Sequence, residues 1–194
     1  SDLDLAYDES GAYKDLTLIA KDQEAVKVGQ RLFLQNCSQC HGSDARGSKG
    51  FPNLADNDWL YGGDAETIKA SIMLGRNGAM PAWKDILGGD QGVKEVASYV
   101  LKLSGRRVNT IEAQAGEEKF ALCASCHGPD GKGTTAMGAP NLTDKVWLYG
   151  GSRKAVEDSI ANGRNGVMPA WSKILGEDKV HLIAAYVYSL SSKE

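Results

Sequence analysis

Apolar residues recur with helical spacing near the end of each half of this 194-residue chain. Val93, Val96, Ala97 and Val100 follow the i, i+3, i+4, i+7 pattern of an amphipathic helix, and residues 180–187 repeat that pattern. We therefore predict that each half closes with a helix that buries one face.

The same reading predicts two further helices in each half. One leads into a cysteine-containing motif, and the other lies in the middle of the half and is followed by glycine, a common helix stop. The predicted bounds are 22–36, 64–74, 111–122 and 152–162. No segment shows the apolar–polar alternation of a strand, so the predicted fold class is all-α.

The two halves are copies of each other. Residues 53–63 match residues 141–151, and residues 75–83 match residues 163–171, both at an offset of 88 positions. A repeat of this length predicts two small domains rather than one. The predicted organisation is an acidic leader followed by two tandem domains, with the bounds 1–21, 22–105 and 106–194.

The net charge and its distribution along the chain limit which classes of partner it can bind. The net charge is −3 and there is no basic tract, so we expect no nucleic-acid binding. Residues 1–20 carry five acidic side chains and one basic one, which favours a solvated leader, with a docking surface for a basic partner as the alternative. No run of eighteen apolar residues occurs, so we expect no membrane span. The chain starts at Ser1 without an initiating methionine, so we expect that an upstream segment, such as a signal or a membrane anchor, has been removed.

The motif Cys-x-x-Cys-His occurs once in each half. Its two thiols can form thioethers with haem vinyl groups, and the adjacent histidine can then bind the iron. The residues are Cys37, Cys40 and His41 in the first half, and Cys123, Cys126 and His127 in the second. A disulfide, a thioredoxin-like pair and half of a zinc site are the alternatives. The missing βαβ context and second ligand pair favour two covalent haem c groups.

The sixth iron ligand follows by elimination. His181 lies on the predicted last helix beside apolar positions, Met73 lies inside a middle helix, and Met137 has no counterpart in the other half. Met80 and Met168 match in position and precede proline, which holds the preceding residue extended. Histidine and methionine fill both axial positions, which favours electron transfer over catalysis, so we expect no catalytic residues.

Other residues are candidates for supporting the haem. The backbone carbonyl near Pro52 or Pro140 can accept the second N–H of the ligating histidine, although each proline is equally a simple loop kink. An arginine and aromatic residues in each half are candidates for haem propionate contacts, with pocket packing as the alternative. These residues are Arg76, Arg164, Trp59, Trp147, Tyr61 and Tyr149.

The repeated stretches 53–63 and 75–83, with their copies and the closing segment 185–191, resemble the dihaem subunit of cbb3-type cytochrome c oxidase, also called subunit III. The resemblance covers residues 22–194. It implies two tandem class I-like cytochrome c domains, each wrapped around one covalently bound haem. It also implies that Met80 completes the haem site of His41, and Met168 that of His127.

Function and location follow from the same resemblance. The family relays electrons from a donor cytochrome c to the monohaem and catalytic subunits, on the periplasmic side of the bacterial inner membrane, and is anchored there by an N-terminal helix. A freely diffusing dihaem shuttle similar to cytochrome c4 is the alternative. An enzyme, such as a dihaem peroxidase, is a third class that would need an iron with an exchangeable ligand.

Overall fold

The computed structural model describes residues 1–191 and is rich in helix. A short 3-10 helix, Asp2–Ala6, comes first. The α-helices are α1 Leu16–Ile19, α2 Gln23–Asn36, α3 Ser38–His41, α4 Ala65–Leu74, α5 Asp90–Leu103, α6 Thr110–Lys119, α7 Ala121–His127, α8 Arg153–Asn162, α9 Ser172–Leu175 and α10 Glu177–Leu190. Across residues 1–191 no helix has the length and apolar character needed to cross a membrane.

Side-chain caps explain where several helices begin. The Asp22 carboxylate accepts hydrogen bonds from the backbone N–H groups of Glu24 and Ala25, and so caps α2. Asp64 caps α4 by accepting from Thr67 N–H. These bonds satisfy donors that have no partner inside the helix. The predicted starts of the first and middle helices therefore agree with the structure to within two residues.

Two short strands correct the expectation of an all-α fold. Strand β1, Arg76–Met80, and strand β2, Arg164–Met168, form one two-stranded sheet. Each strand ends at the methionine before proline, where the backbone is restricted to extended conformations. An extended backbone exposes N–H and C=O groups that need partners, and the two copies of the same segment supply them.

The chain divides into two compact units that differ from the predicted division at residue 105. Unit 1 comprises Ser1–Arg76 and Val167–Glu194, and unit 2 comprises Asn77–Gly166. The physical reason is the choice of helix partner, because α10 packs on α2 whereas α5 packs on α6. The chain therefore leaves unit 1 within β1 and returns to it within β2.

The core of unit 1 forms where α2 crosses α10. Phe33 of α2 is buried and its ring lies 5.4 Å from the ring of Tyr186 of α10. Gly29 makes this close crossing possible, since a Cβ atom there would lie 2.3 Å from the Leu182 carbonyl oxygen. The last helix is buried almost all round, which is more than the single face predicted, because α1, α2, α4 and the first 3-10 helix all pack on it.

Unit 2 repeats this crossing with α6 and α5. Phe120 follows α6, and its ring lies 5.1 Å from that of Tyr99 on α5. A charged network joins three helices of this unit: the Arg153 guanidinium of α8 donates to Glu112 of α6 and to the Ser98 hydroxyl of α5, at 2.9 Å each. These polar contacts accompany the apolar core of unit 2.

The acidic leader is packed, which corrects the expectation that it is solvated. Ala6, Leu16 and Ile19 are fully buried in the core of unit 1, while Asp2 and Asp4 point to solvent. The apolar residues between the acidic ones therefore anchor the segment. Sequence charge alone concealed this because the buried positions are few and widely spaced.

His181 of α10 contacts the leader, residues 1–21, and holds it in place. Its Nε2–H donates to the Lys14 carbonyl at 2.8 Å, and its ring packs on Tyr13 with the centroids 4.7 Å apart. The buried Nδ1 has no hydrogen-bond partner among the described residues. Burial lowers the pKa of His181, since protonating Nδ1 would place an unpaired N–H in the interior. The expectation of a packing role for this histidine agrees with the structure.

Acidification should therefore loosen the leader. The unfolded chain binds a proton at this imidazole more readily than the folded chain, so the contribution to stability is complete above about pH 6.5 and is lost as the pH falls below it. Thermal unfolding of the holoprotein between about pH 7.5 and pH 5 should show a steeper loss for the natural chain than for His181→Gln. Equal slopes in the two proteins would contradict this role.

Candidate haem-binding sites

One helical turn forms the first cysteine motif. Cys37 lies between α2 and α3 as the cap of both helices, and its carbonyl accepts from the N–H groups of Cys40 and His41 at 3.2 and 3.0 Å. Cys37 and Cys40 are three residues apart on a helix, so their thiols share a face. His41 comes next and its side chain is buried.

The second motif has the same construction within α7. This helix contains Cys123, Cys126 and His127, and the histidine is again buried. All four cysteines are free thiols. Burial raises the pKa of the Cys37 thiol to about 11 and also raises that of Cys123, so neither is poised as a thiolate at neutral pH. This counts against the thioredoxin-like interpretation, which needs a reactive thiolate.

A backbone carbonyl fixes the orientation of each motif histidine. His41 Nδ1–H donates to the Pro52 carbonyl, and His127 Nδ1–H donates to the Pro140 carbonyl, both at 3.0 Å. The prediction of a carbonyl partner near each proline is therefore confirmed. The bond commits Nδ1 and leaves Nε2 as the available metal-binding atom. Burial also lowers the pKa of His41, which favours the neutral form that a metal needs.

Two glycines that the sequence reasoning missed bring these carbonyls into reach. Gly47 N–H donates to the His41 carbonyl at 2.7 Å, and Gly133 N–H donates to the His127 carbonyl at the same distance. Both have positive φ, and a Cβ atom at Gly47 would lie 2.2 Å from the Phe51 carbonyl oxygen. A glycine six residues after each histidine was the available signal.

The methionines lie in the opposite units from those expected. Met168 packs against the core of unit 1, which holds His41, and Met80 packs against the core of unit 2, which holds His127. The resemblance implies that Met80 pairs with His41 and Met168 with His127, and this pairing stays a prediction. The structure instead places Met168 in the unit of His41 and Met80 in the unit of His127. The cause is again connectivity, because each strand carries the chain into the other unit before it reaches its methionine.

Each methionine-proline segment is tied to the middle helix of its unit. In unit 1, Trp171 N–H donates to the Ile72 carbonyl of α4 at 2.9 Å. In unit 2, Trp83 N–H donates to the Ile160 carbonyl of α8 at 3.0 Å. These two tryptophans, which end the repeated Met-Pro-Ala-Trp motif, anchor the segment that carries the methionine.

The structure brings the predicted arginines and tyrosines together. The Arg76 guanidinium lies 4.3 Å from the ring centroid of Tyr61, and Arg164 lies 4.3 Å from that of Tyr149. The Trp59 and Trp147 side chains belong to the partly buried apolar shells of units 1 and 2, respectively. Their contacts with haem propionates remain a prediction.

Comparison with known proteins identifies the family. The family described as cytochrome c oxidase, cbb3-type, subunit III matches the chain twice, over residues 24–100 and 112–187. The chain belongs to this family. It is a cytochrome c subunit of the cbb3-type oxidase family, and the predicted resemblance is confirmed.

Individual relatives agree with this assignment. The chain is similar to the cbb3-type cytochrome c oxidase subunit CcoP of Rubrivivax gelatinosus, with 54% identity over 89% of this chain and 57% of that protein. The CcoP subunit of Rhodobacter capsulatus is 41% identical over 98% of the chain and 72% of its own length. The FixP subunit of Bradyrhizobium diazoefficiens is 45% identical over 91% and 64%. The chain thus spans little more than half of the first of these relatives.

The two matches to the subunit III family follow the sequence repeats, not the compact units. The first match ends at residue 100 and includes Met80, whereas the structure places Met80 in unit 2. The repeats describe the order of the motifs along the chain. The units describe which motifs belong to the same compact body.

Proposed function

We propose that this chain holds two haem c groups and transfers electrons within a cbb3-type oxidase. The observation that carries the proposal is the composition of each unit. Each contains one Cys-x-x-Cys-His turn, a histidine oriented by a proline carbonyl, and a methionine held on a proline-containing strap. These are the donor groups of a His/Met-ligated haem c.

The residues present fit this group. Four unpaired thiols are available for thioether bonds, both histidines keep Nε2 free, and the methionine thioethers are soft donors suited to iron. The proposed site in unit 1 consists of Cys37, Cys40, His41 and Met168. The proposed site in unit 2 consists of Cys123, Cys126, His127 and Met80. When bound, haem c supplies a one-electron Fe(II)/Fe(III) couple.

The ligand set favours electron transfer over catalysis. With a histidine and a methionine as its two protein ligands, a haem iron would keep no exchangeable position for oxygen or peroxide. The Arg76–Tyr61 and Arg164–Tyr149 pairs supply a positive charge and a hydroxyl donor suited to haem propionates. The residues of this chain therefore hold and orient the redox group, and they bring no reacting group of their own.

The family suggests where in the respiratory chain this electron transfer takes place. The relatives' names describe subunits of cbb3-type oxidases. We infer that the chain accepts electrons from a donor cytochrome c and passes them to the monohaem and catalytic subunits, on the periplasmic side of the bacterial inner membrane. A freely diffusing dihaem shuttle would share the ligands but would not copurify with the oxidase.

Haem counting tests the proposal. A pyridine haemochrome assay should give two covalent haems per natural chain, one in Cys37→Ala/Cys40→Ala and one in Cys123→Ala/Cys126→Ala. The reduced protein should not bind carbon monoxide, and the oxidase should lose turnover with reduced cytochrome c when either haem is missing. One haem per natural chain, or carbon monoxide binding to either site, would contradict the ligand assignment.

A further inference from the structure

The arginine of each arginine–tyrosine pair is held by an equivalent hydrogen bond to a serine. Arg76 Nε donates to the Ser71 hydroxyl at 2.8 Å, and Arg164 Nε donates to the Ser159 hydroxyl at 2.9 Å. Each serine belongs to the middle helix of its unit and each guanidinium stacks on the matching tyrosine. The local geometry is therefore repeated in both units.

The two units differ in one carboxylate, that of Asp158, which lies beside the arginine of unit 2. In unit 2 the Arg164 guanidinium lies 3.2 Å from Asp158 Oδ2, while Oδ1 accepts from Asn162 Nδ2 at 2.7 Å. Both oxygens are thus engaged and the carboxylate is held against the arginine. The position equivalent to Asp158 in unit 1 is Ala70, and among residues 1–191 no ion pair involves Arg76. One arginine charge is offset and the other is not.

The paired arginine lies beside the proposed iron ligand of unit 2. Arg164, Asn162 and Met80 line the same cavity, which has a volume of about 400 Å³. The Arg164 side chain is 24% exposed, so its charge is screened less than that of a fully solvated arginine. A charge at this position would therefore act on an iron held by Met80 with less screening by water.

We propose that Asp158 is a positioning residue that lowers the reduction potential of the haem in unit 2 below that of the haem in unit 1. This inference rests on the proposed function. Reduction adds one negative charge to the haem, and a nearby positive charge favours the reduced form. By offsetting the charge of Arg164, the carboxylate removes part of that stabilisation. At equilibrium an electron therefore resides on the haem of unit 1.

Potentiometric titration of the holoprotein tests this directly. In Asp158→Asn the unit 2 haem should become easier to reduce, with a roughly threefold to tenfold rise in its reduced-to-oxidised ratio at fixed potential, where tenfold corresponds to about 59 mV for one electron. Asp158→Glu should keep the natural potential. The matched variant Ala70→Asp should lower the potential of the unit 1 haem alone. The single-haem cysteine variants assign each potential.

Two further measurements separate this role from a merely structural one. The Asp158→Asn shift should shrink at high ionic strength, because half of the carboxylate side chain is exposed. It should also shrink in an Arg164→Gln background, through which the carboxylate is argued to act. Two titrating haems with unchanged potentials in Asp158→Asn would overturn this inference alone. A chain without covalent haem would overturn the proposed function as well.

Discussion

Replacing Met168 with leucine should lower the reduction potential of the haem attached to Cys37 and Cys40. The reason is spatial, because Met168 packs in unit 1 together with His41 although it follows the second cysteine motif in sequence. Loss of the thioether removes the soft ligand that favours Fe(II). The fall should be on the order of 0.1 V or more, within the roughly 0.8 V that axial ligands span.

The single-haem variants make this test decisive. In Cys123→Ala/Cys126→Ala only the first haem remains, and Met168→Leu should shift its potential and open a position that binds carbon monoxide. In the same background Met80→Leu should leave the potential unchanged. The opposite background, Cys37→Ala/Cys40→Ala, should show the reverse behaviour. If Met80→Leu instead shifts the potential of the first haem, Met80 pairs with His41 in sequence order and the pairing of Met168 with His41 is wrong.

Much of the site could be predicted from local sequence. Cys37, Cys40 and His41 act within one helical turn, so their spacing alone predicts their arrangement. The carbonyl partner of His41 lies only eleven residues away and follows from the proline-containing loop. The Cys-x-x-Cys-His motif by itself predicts covalent haem c, and the family resemblance implies the same group. All of these features depend on contacts that are close in the chain.

The choice of unit could not be predicted in this way. Helices α5 and α10 carry the same apolar spacing, so either could pack on α2 by pattern alone. The repeat that predicts two domains also gives their closing helices the same apolar spacing, and that spacing does not tell which helix α2 packs on. The short strands were not predicted because each consists of arginine, asparagine and glycine followed by two apolar residues, and so shows no apolar–polar alternation.

Replacing Gly29 with alanine should strongly destabilise unit 1. The added Cβ would lie 2.3 Å from the Leu182 carbonyl oxygen and 2.8 Å from Tyr186 Cβ, and both neighbours belong to α10. Neither atom can move without displacing the helix backbone, so the crossing of α2 and α10 must widen. Overpacking of this kind costs about 1–3 kcal/mol. For a chain of this size each kcal/mol lowers the melting temperature by about 2–4 °C.

Controls for this prediction come from the same helices. Lys27→Ala changes an exposed residue of the same helix, two positions before Gly29, and should leave the melting temperature of the holoprotein unchanged within error. Gly116→Ala should weaken the equivalent crossing in unit 2, where the added Cβ would lie 2.0 Å from the Glu95 carbonyl oxygen. Proteolysis with peptide mapping should therefore show early cleavage in unit 1 for Gly29→Ala and in unit 2 for Gly116→Ala.

A double-mutant cycle then shows which helix packs on α2. The rings of Phe33 and Tyr186 are 5.4 Å apart, so Phe33→Leu and Tyr186→Leu should be coupled by about 0.5–1.5 kcal/mol in unfolding free energy. Phe33→Leu and Tyr99→Leu should simply add, because Tyr99 packs on Phe120 instead. Coupling of Phe33 to Tyr99 would mean that α2 packs on α5. The steric reason for the Gly29 effect, and the crossed placement of the methionines with it, would then be lost.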